Sequence, residues 1–232
     1  MISLLIADDQ HVMRLGLSTF LSQEPDIDIV GLAASGREAV SQCRMLRPDV
    51  VLMDVRMPDG NGLEASRALL APGLAYRPKI VVITTFDVDH YMFTALDIGA
   101  SGFFLKDADP ADLANAVRVV AAGGCVIAPE LSPRLFGEFS RRRGHRPVSS
   151  EHPLTAREVQ VVRLLARGAG NREVGNTLGL ALSTIKAHVS NICTKLELQS
   201  RVQVVIWAFT SGIITLDEAE SATDYDNWRE PA

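Results

Sequence analysis

The sequence predicts two domains, an α/β domain with a parallel sheet followed by a smaller all-α domain. Between residues 3 and 122, five short apolar segments alternate strictly with segments of helical periodicity. This alternation predicts a parallel sheet with helices on both faces, because each strand is joined to the next through a crossover helix. From Pro153 onward only helical patterns occur. A chain of 232 residues is long enough for one large or two ordinary domains.

The elements of the first domain follow one another as strand and helix pairs. The strand segments are apolar and rich in β-branched residues, whereas the helix segments carry their apolar residues on one face. Pro48 lies just beyond the second helix, and Asp109-Pro110 starts the fifth helix, with Asp as the N-cap and Pro at the first helical position. The predicted strands are 3–7, 28–33, 50–54, 79–85 and 102–105, and the predicted helices are 11–21, 36–46, 63–70, 88–96 and 110–122.

Polar residues stand at the carboxyl ends of four of these strands. They are Asp8-Asp9, Asp54, Thr84 and Lys106, after the first, third, fourth and fifth strands. Because parallel strands share the edge at which α/β sheets bind ligands, we expect these side chains to converge there. Two adjacent carboxylates need a nearby cation, which a divalent ion would supply. The set suits phosphoryl transfer to Asp54, with Mg²⁺ held by Asp9 and Asp54 and with Lys106 paired with a phosphoryl oxygen.

Residues 3–122 therefore resemble the receiver domain of bacterial two-component response regulators. The matched positions are the pair Asp8-Asp9, Asp54 within the segment 53–60, Thr84, Phe103 and Lys106. The resemblance implies a flavodoxin-like sheet of order 2-1-3-4-5 and phosphorylation of Asp54 by a sensor histidine kinase. It also implies a Mg²⁺ site formed by Asp8, Asp9 and Asp54. Thr84, Phe103 and Lys106 would then act as phosphoryl-stabilising and switch residues, although many receivers carry Tyr in place of Phe103.

The second domain contains four predicted helices, at 155–167, 171–178, 183–196 and 200–212. A capping box, Thr155-x-x-Glu158, marks the start of the first. Two short helices joined by a turn with Gly179 are typical of a helix-turn-helix, although ordinary helical hairpins share this pattern. Residues 153–216 hold 7 basic and 3 acidic side chains, whereas residues 1–125 hold 10 basic and 16 acidic ones. This asymmetry indicates different partners for the two domains, with a polyanion a candidate partner for the basic one.

Residue identities in the second domain resemble the LuxR/NarL-type DNA-binding domain. The matches are Leu154-Thr155, Arg157-Glu158, Gly168, Asn171, Glu173-Val174, Leu178, Thr184-Ile185-Lys186, His188-Val189, Ile192, Lys195-Leu196 and Arg201. The family implies that helix 183–196 enters the major groove and that helix 200–212 forms a dimer contact. The candidate DNA contacts are Asn171, Arg172, Ser183, Thr184, Lys186, Ala187, His188, Ser190 and Lys195. Taken alone, His188 is more often an ordinary surface or core histidine.

The sequence departs from this family at three positions. Gly170 and Gly175 replace better helix formers, and Gly inside a helix costs about 1 kcal/mol relative to Ala. Ala181 stands where Ser or Thr normally caps the recognition helix, a loss of about 1 kcal/mol unless Ser183 takes over. We therefore expect the two helices of the helix-turn-helix to be marginally stable by themselves.

The predicted boundaries are a receiver domain at 1–124, a linker at 125–150, a helix-turn-helix domain at 151–214 and an acidic disordered tail at 215–232. The linker contains the basic run Arg141–Arg146, which is either a solvated flexible segment or a contact to a nucleic-acid backbone. No apolar run approaches the length of a membrane span and the N-terminus lacks a signal peptide, so we expect a cytoplasmic protein. Cys43, Cys125 and Cys193 lack metal-like spacing and are interpreted as reduced thiols.

The whole chain is similar to a NarL-family response regulator. The predicted function is that of a phosphorylation-controlled transcription factor, not an enzyme, that binds promoter DNA as a homodimer. One alternative is an enzyme with an aspartyl-phosphate intermediate, as in haloacid-dehalogenase-like phosphatases. Those enzymes need a second acid two residues after the nucleophile, where this chain has Arg56. Another alternative is a signalling adaptor whose helical domain binds protein.

Overall fold

The computed structural model describes residues 1–84, 88–127, 152–198, 200–215 and 218. The chain divides into two compact units, Met1–Ser132 and Pro133–Ala232. The predicted basic run at 141–146 lies outside the described residues, as does all of the predicted tail except Thr215 and Glu218. Among the described helices, none combines the length and apolar character needed to cross a bilayer.

The first unit is built on a parallel sheet with the strand order β2-β1-β3-β4-β5-β6. Its strands are β1 Ile2–Ala7, β2 Ile27–Ala33, β3 Val50–Asp54, β4 Lys79–Thr84, β5 Gly102–Leu105 and β6 Val126–Ile127. The predicted order 2-1-3-4-5 is confirmed. The sequence did not predict β6, because two residues are too few to show a strand pattern. This strand pairs with β5 inside the range expected to be linker, so the sheet extends beyond residue 124.

Five helices connect these strands. They are α1 His11–Leu21, α2 Gly36–Leu46, α3 Gly62–Leu70, α4 Val88–Ile98 and α5 Pro110–Ala121. Three of them start at side-chain N-caps, because Ser35, Asn61 and Asp109 accept hydrogen bonds from backbone N–H groups in the first turn. These local signals explain why helix boundaries can be predicted from the sequence.

The core of the first unit lies on both faces of the three central strands. Alternate residues of β1 and β3, such as Leu4 and Leu52, pack with Val117 and Val120 of α5 on one face. The residues between them, such as Leu5 and Val51, are also fully buried. Burial on both faces explains the continuous apolar runs in these strands and holds their carboxyl ends at a rigid edge.

The second unit has four described helices, α6 Ala156–Ala166, α7 Asn171–Leu178, α8 Leu182–Lys195 and α9 Arg201–Thr210. The predicted capping box is present, with Thr155 as the N-cap of α6 and Glu158 bonded back to the backbone N–H of Thr155. The predicted recognition helix begins one residue earlier than expected, at Leu182. Its N-cap is Ala181, which makes no side-chain capping hydrogen bond, and Ser183 is the second residue of the helix rather than its N-cap.

The structure gives different roles to the two glycines that the sequence predicted to weaken helices. Gly170 is the N-cap of α7 rather than an interior residue, and Gly at an N-cap costs only a few tenths of a kcal/mol. Gly175 is buried inside α7, where an added Cβ would lie 2.8 Å from the Leu180 carbonyl oxygen. The turn between α7 and α8 therefore lies so close to Gly175 that an Ala side chain would fit there only after a backbone shift.

Candidate functional site

Three carboxylates meet at the carboxyl edge of the first unit's sheet. Asp8 follows β1 and Asp54 ends the neighbouring strand β3, and the pairing of Ala7 with Met53 sets the two acids side by side. One carboxylate oxygen from each of Asp8, Asp9 and Asp54 lies within 4.8 Å of the other two. Asp8 and Asp54 are buried, whereas Asp9 is exposed. The group therefore has a buried wall and one side open to solvent.

Lys106 is bound to two of these carboxylates. Its Nζ lies 2.8 Å from Asp8 Oδ2 and 2.8 Å from Asp54 Oδ2, and its side chain is only 4% exposed. The backbone N–H of Lys106 donates to the Thr84 carbonyl oxygen at 2.8 Å, which fixes the end of β5 against the end of β4. The structure thus brings together Asp8, Asp9, Asp54 and Lys106 as the sequence predicted.

The protonation equilibria at this edge are shifted by burial and by charge. Burial raises the pKa of Asp54 from 3.8 to about 6; the hydrogen bond and positive charge of Lys106 oppose this rise, and the charge of Asp8 adds to it. Burial by itself lowers the pKa of Lys106, but its hydrogen bonds to Asp54 and Asp8 outweigh burial and raise the pKa overall. Above about pH 6, therefore, Asp54 is an ionised carboxylate paired with an ammonium group.

The donor set fits a hard divalent cation. Mg²⁺ prefers oxygen ligands, takes few of them from protein and keeps several waters. The three carboxylates of this group outnumber the one ammonium, of Lys106, that is paired with them, and a divalent ion would add positive charge there. The exposed Asp9 leaves an open side at which the waters of such an ion, or a phosphoryl group, could be accommodated. Asp8, Asp9 and Asp54 could therefore hold Mg²⁺.

Two glycines position the loop that follows Asp54. An added Cβ on Gly62, the first residue of α3, would lie 1.8 Å from the Asp54 carbonyl oxygen. An added Cβ on Gly36, the first residue of α2, would lie 2.0 Å from the Gly60 carbonyl oxygen. Both distances are far below any real contact, so the loop can approach the starts of α2 and α3 only because these residues lack side chains. The sequence showed Gly62 as a loop former and held no signal for these close approaches.

Thr84 and Phe103, the predicted switch residues, are both buried. Thr84 is 2% exposed at the end of β4, and Phe103 is 1% exposed in β5, two residues before Leu105, which pairs with Thr84. The switch prediction is that phosphorylation draws Thr84 inward and that Phe103 fills the space Thr84 vacates. In this structure the Phe103 ring is already buried, so the predicted rearrangement starts from a buried position.

The candidate DNA contacts of the second unit lie on α7 and α8. Six of the nine are exposed, namely Arg172, Ser183, Lys186, Ala187, Ser190 and Lys195, and Asn171, Thr184 and His188 are half-buried. Ile185 and Ile192 of α8 are fully buried in the helical core, which turns the other side of α8 outward. The predicted recognition helix thus presents a polar surface to solvent.

Two of these candidates already have partners within the unit. Lys195 Nζ lies 2.7 Å from Glu158 Oε2, and the side chain of Glu158 is only 4% exposed. Asn171 Oδ1 accepts a hydrogen bond from Arg201 Nη1 at 2.8 Å. Lys195 therefore joins the end of α8 to the capping box of α6, a stabilising role that the sequence did not indicate because these residues are far apart in the chain.

Comparison with known proteins matches the two parts of the chain to two different protein families. The family profile of the response regulator receiver domain matches residues 4–118, and that of the bacterial regulatory proteins of the luxR family matches residues 152–208. The response regulator protein VraR of Staphylococcus aureus is 36% identical over 213 residues, which cover 92% of this chain and 99% of VraR.

Solved structures agree with these matches. The crystal structure of the response regulator ChrA, from a heme-sensing two-component system, is 30% identical with a TM-score of 0.50, and the match covers 92% of this chain and 98% of that one. A LuxR-family two-component response regulator from Aurantimonas sp. SI85-9A1 is 28% identical with a TM-score of 0.54, over 62% of this chain and 98% of that one. With a receiver domain carrying a cluster of acids and a lysine, followed by a luxR-type helix-turn-helix, this chain belongs to the DNA-binding response regulators of two-component systems.

Proposed function

We propose that Asp54 accepts a phosphoryl group from a sensor histidine kinase and that its phosphorylation controls dimerisation, promoter binding and transcription. The observation that supports this most strongly is the placement of Lys106, whose ammonium lies 2.8 Å from carboxylate oxygens of both Asp8 and Asp54. A buried carboxylate with an adjacent ammonium and an open acidic pocket has the groups that phosphoryl transfer requires.

In the proposed reaction an oxygen of ionised Asp54 attacks phosphorus. A new oxygen–phosphorus bond forms, and the bond from phosphorus to the leaving group breaks. The leaving group is the imidazole nitrogen of a kinase phosphohistidine, or the acetate oxygen of acetyl phosphate, and it keeps the bonding electron pair. The ammonium of Lys106 then exchanges its contact with Asp54 for one with a phosphoryl oxygen, while Asp8 keeps it in place. Bound Mg²⁺ would supply charge neutralisation at the phosphoryl oxygens.

The second unit is proposed to carry the output. Its residues 153–216 hold 7 basic and 3 acidic side chains, and the exposed surface of α8 includes Lys186 and Ser190. A basic helix-turn-helix of this kind fits double-stranded DNA, with α8 in the major groove and Lys186 at a base or phosphate. The proposed partners are thus a sensor kinase, promoter DNA and a second copy of this chain.

The site assignment is tested by phosphorylation with acetyl phosphate and Mg²⁺, followed by intact-protein mass spectrometry. The wild-type chain should gain one phosphate that is lost at acidic or basic pH, and Asp54→Asn should gain none. Asp49→Asn is a matched control, because Asp49 immediately precedes the same strand, at its opposite end. Full phosphorylation of Asp54→Asn would overturn the assignment. Lys106→Ala should still accept phosphate but fail to pass the signal on, because the ammonium that links the loop to the phosphoryl group is absent.

The output is tested by sedimentation and by DNA selection. Beryllofluoride, a phosphoryl mimic, should favour dimers, and an unchanged equilibrium between monomer and dimer would count against phosphate-driven assembly. Selection of bound fragments from genomic DNA should recover a sequence with two half-sites. Failure to bind any DNA would favour a protein-binding adaptor instead, and multiple turnovers of phosphate release would favour a phosphatase.

A further inference from the structure

Arg201 occupies a position at which an arginine is locally unfavourable. It is the first residue of α9, and the first turn of that helix contains no acidic residue. A positive charge at a helix N-terminus opposes the helix dipole, which favours negative charge there. A residue that conflicts with its local environment is often retained for a contact made elsewhere in the fold.

The guanidinium of Arg201 contacts the start of α7. Its Nη1 donates to Asn171 Oδ1 at 2.8 Å, and its Nη2 donates to the Ala169 carbonyl oxygen. These two acceptors flank Gly170, the N-cap of α7, which has no side chain to form a capping hydrogen bond. The entry into α7 is thus held by an arginine from a different helix rather than by a cap of its own.

The contact also determines which way the Asn171 amide faces. A guanidinium has only donors, so an amide that bonds to it must present its carbonyl oxygen. The NH₂ group of Asn171 is then on the far side of the amide from Arg201. An NH₂ group held in this orientation can donate to a phosphate oxygen, and such contacts set the register of a protein on DNA.

We infer that Arg201 is a positioning residue for DNA recognition: it orients the Asn171 amide so that its NH₂ group donates to a backbone phosphate, without touching DNA itself. This inference rests on the proposed function of the second unit. Arg201 also holds the turn from α6 to α7 through Ala169, so the donor and the helix that carries it are fixed by the same side chain.

Arg157 provides a matched control at the opposite end of α7. Its Nη2 donates to the Leu178 carbonyl oxygen at the end of α7, and its Nη1 donates to Gln160 Oε1 at 2.8 Å. Both arginines are half-buried, and each donates from another helix to a backbone carbonyl oxygen at or next to one end of α7. Among the described residues, the hydrogen bonds of Arg157 go to Gln160 and Leu178, neither of which is a candidate DNA contact. Its loss should therefore weaken the fold without altering the presentation of Asn171.

The test measures binding of the full chain to sheared double-stranded DNA of mixed sequence by fluorescence anisotropy over a range of salt concentrations. Arg201→Met and Asn171→Ala should each weaken binding at least about tenfold, because a hydrogen bond to a charged phosphate is lost. The double variant should bind no more weakly than either single variant, since both remove the same contact. Asn171→Asp should keep the bond to Arg201 and the unfolding midpoint of the unit, yet bind DNA more weakly than Asn171→Ala.

The salt dependence separates positioning from direct contact. The neutral Asn171 amide displaces no counterion when it binds a phosphate. Losing that contact in Arg201→Met should therefore leave the slope of log K against log salt unchanged. If the slope for Arg201→Met were shallower by about 0.9 for each protomer, Arg201 itself would neutralise a phosphate, and the inference would be overturned. An Arg201→Met variant that loses stability as Arg157→Met does, but keeps wild-type affinity, would overturn it as well. A wild-type chain that binds no DNA under any condition would refute both this inference and the proposed output function.

Discussion

Replacement of Asp54 by Asn should stabilise the first unit, even though it abolishes phosphorylation. Burial raises the pKa of Asp54 from 3.8 to about 6 despite the neighbouring Lys106. A difference of this size corresponds to about 3 kcal/mol of unfavourable free energy for the ionised carboxylate in the folded state. Asn has the same shape and no charge, and it keeps an oxygen that can accept from Lys106. We therefore expect Asp54→Asn to gain about 2 to 3 kcal/mol at pH 7.5.

The gain should depend on pH in a defined direction. Because the pKa of Asp54 is higher in the folded state, folding favours the protonated form, and the cost of ionisation is absent below about pH 4. The cost grows as pH rises from 3.8 toward 6 and is constant above that range. At pH 5 the advantage of Asp54→Asn should therefore be about half of its value at pH 7.5.

Hydrogen exchange of the β3 and β4 amides is a suitable assay. Both tryptophans, Trp207 and Trp228, lie in the second half of the chain and would not report on the first unit. The measurement is made with a chelator present, because Mg²⁺ binds ionised carboxylates of the folded state and would stabilise the wild type selectively. Asp49→Asn, at the exposed end of the same strand, should show no such gain. A variant less stable than the wild type at pH 7.5, or an advantage that does not change between pH 5 and 7.5, would refute the reasoning.

Three further predictions follow from individual contacts. Gly62→Ala should destabilise the first unit by about 3 kcal/mol and slow phosphorylation, because the new Cβ meets the Asp54 carbonyl oxygen; hydrogen exchange and acetyl phosphate labelling measure the two effects. Lys195→Met should destabilise the second unit by about 1 to 2 kcal/mol, seen as a lower unfolding midpoint, because it leaves the buried Glu158 carboxylate without its cation while the half-exposed lysine limits the loss. Ser190→Lys should tighten binding to all DNA sequences alike and steepen the salt slope of a dimer by about 1.8.

Each of these variants has a control in the same chain. Gly16→Ala, on the exposed surface of α1 with nothing within 4 Å, should leave the first unit slightly more stable. Lys186→Met should leave the unfolding midpoint unchanged but abolish specific DNA binding. If Lys195→Met unfolded at the same midpoint as Lys186→Met, the stabilising role of Lys195 would be refuted. Ala156→Lys places an exposed charge on α6, which carries none of the candidate DNA contacts. A slope change equal to that of Ser190→Lys would mean that α8 does not face DNA as proposed.

The sequence by itself determined the elements and the residue types of the site. Alternating apolar segments predict strands and crossover helices because their periods differ, and caps such as Thr155 and Asp109 act within a single turn. The polar residues Asp8, Asp54 and Lys106 stand at strand ends, and a parallel sheet gathers such ends at one edge. Local patterns therefore sufficed for the fold class and for the members of the acidic site.

Only the tertiary structure decided how those residues act on one another. The elevated pKa of Asp54 comes from burial by residues distant in the chain. The roles of Gly62 and Gly175 depend on how closely a backbone carbonyl oxygen approaches each of them. Lys195, a predicted DNA contact, also forms an ion pair with Glu158 that joins two helices. Arg201 likewise matched a family position without any indication that it orients the start of α7. The contacts of Lys195 and Arg201 join residues 30 or more positions apart in the sequence. The contacts of the two glycines depend on the path of the folded backbone. No local sequence pattern encodes either kind of contact, and only the packed fold brings these atoms within reach.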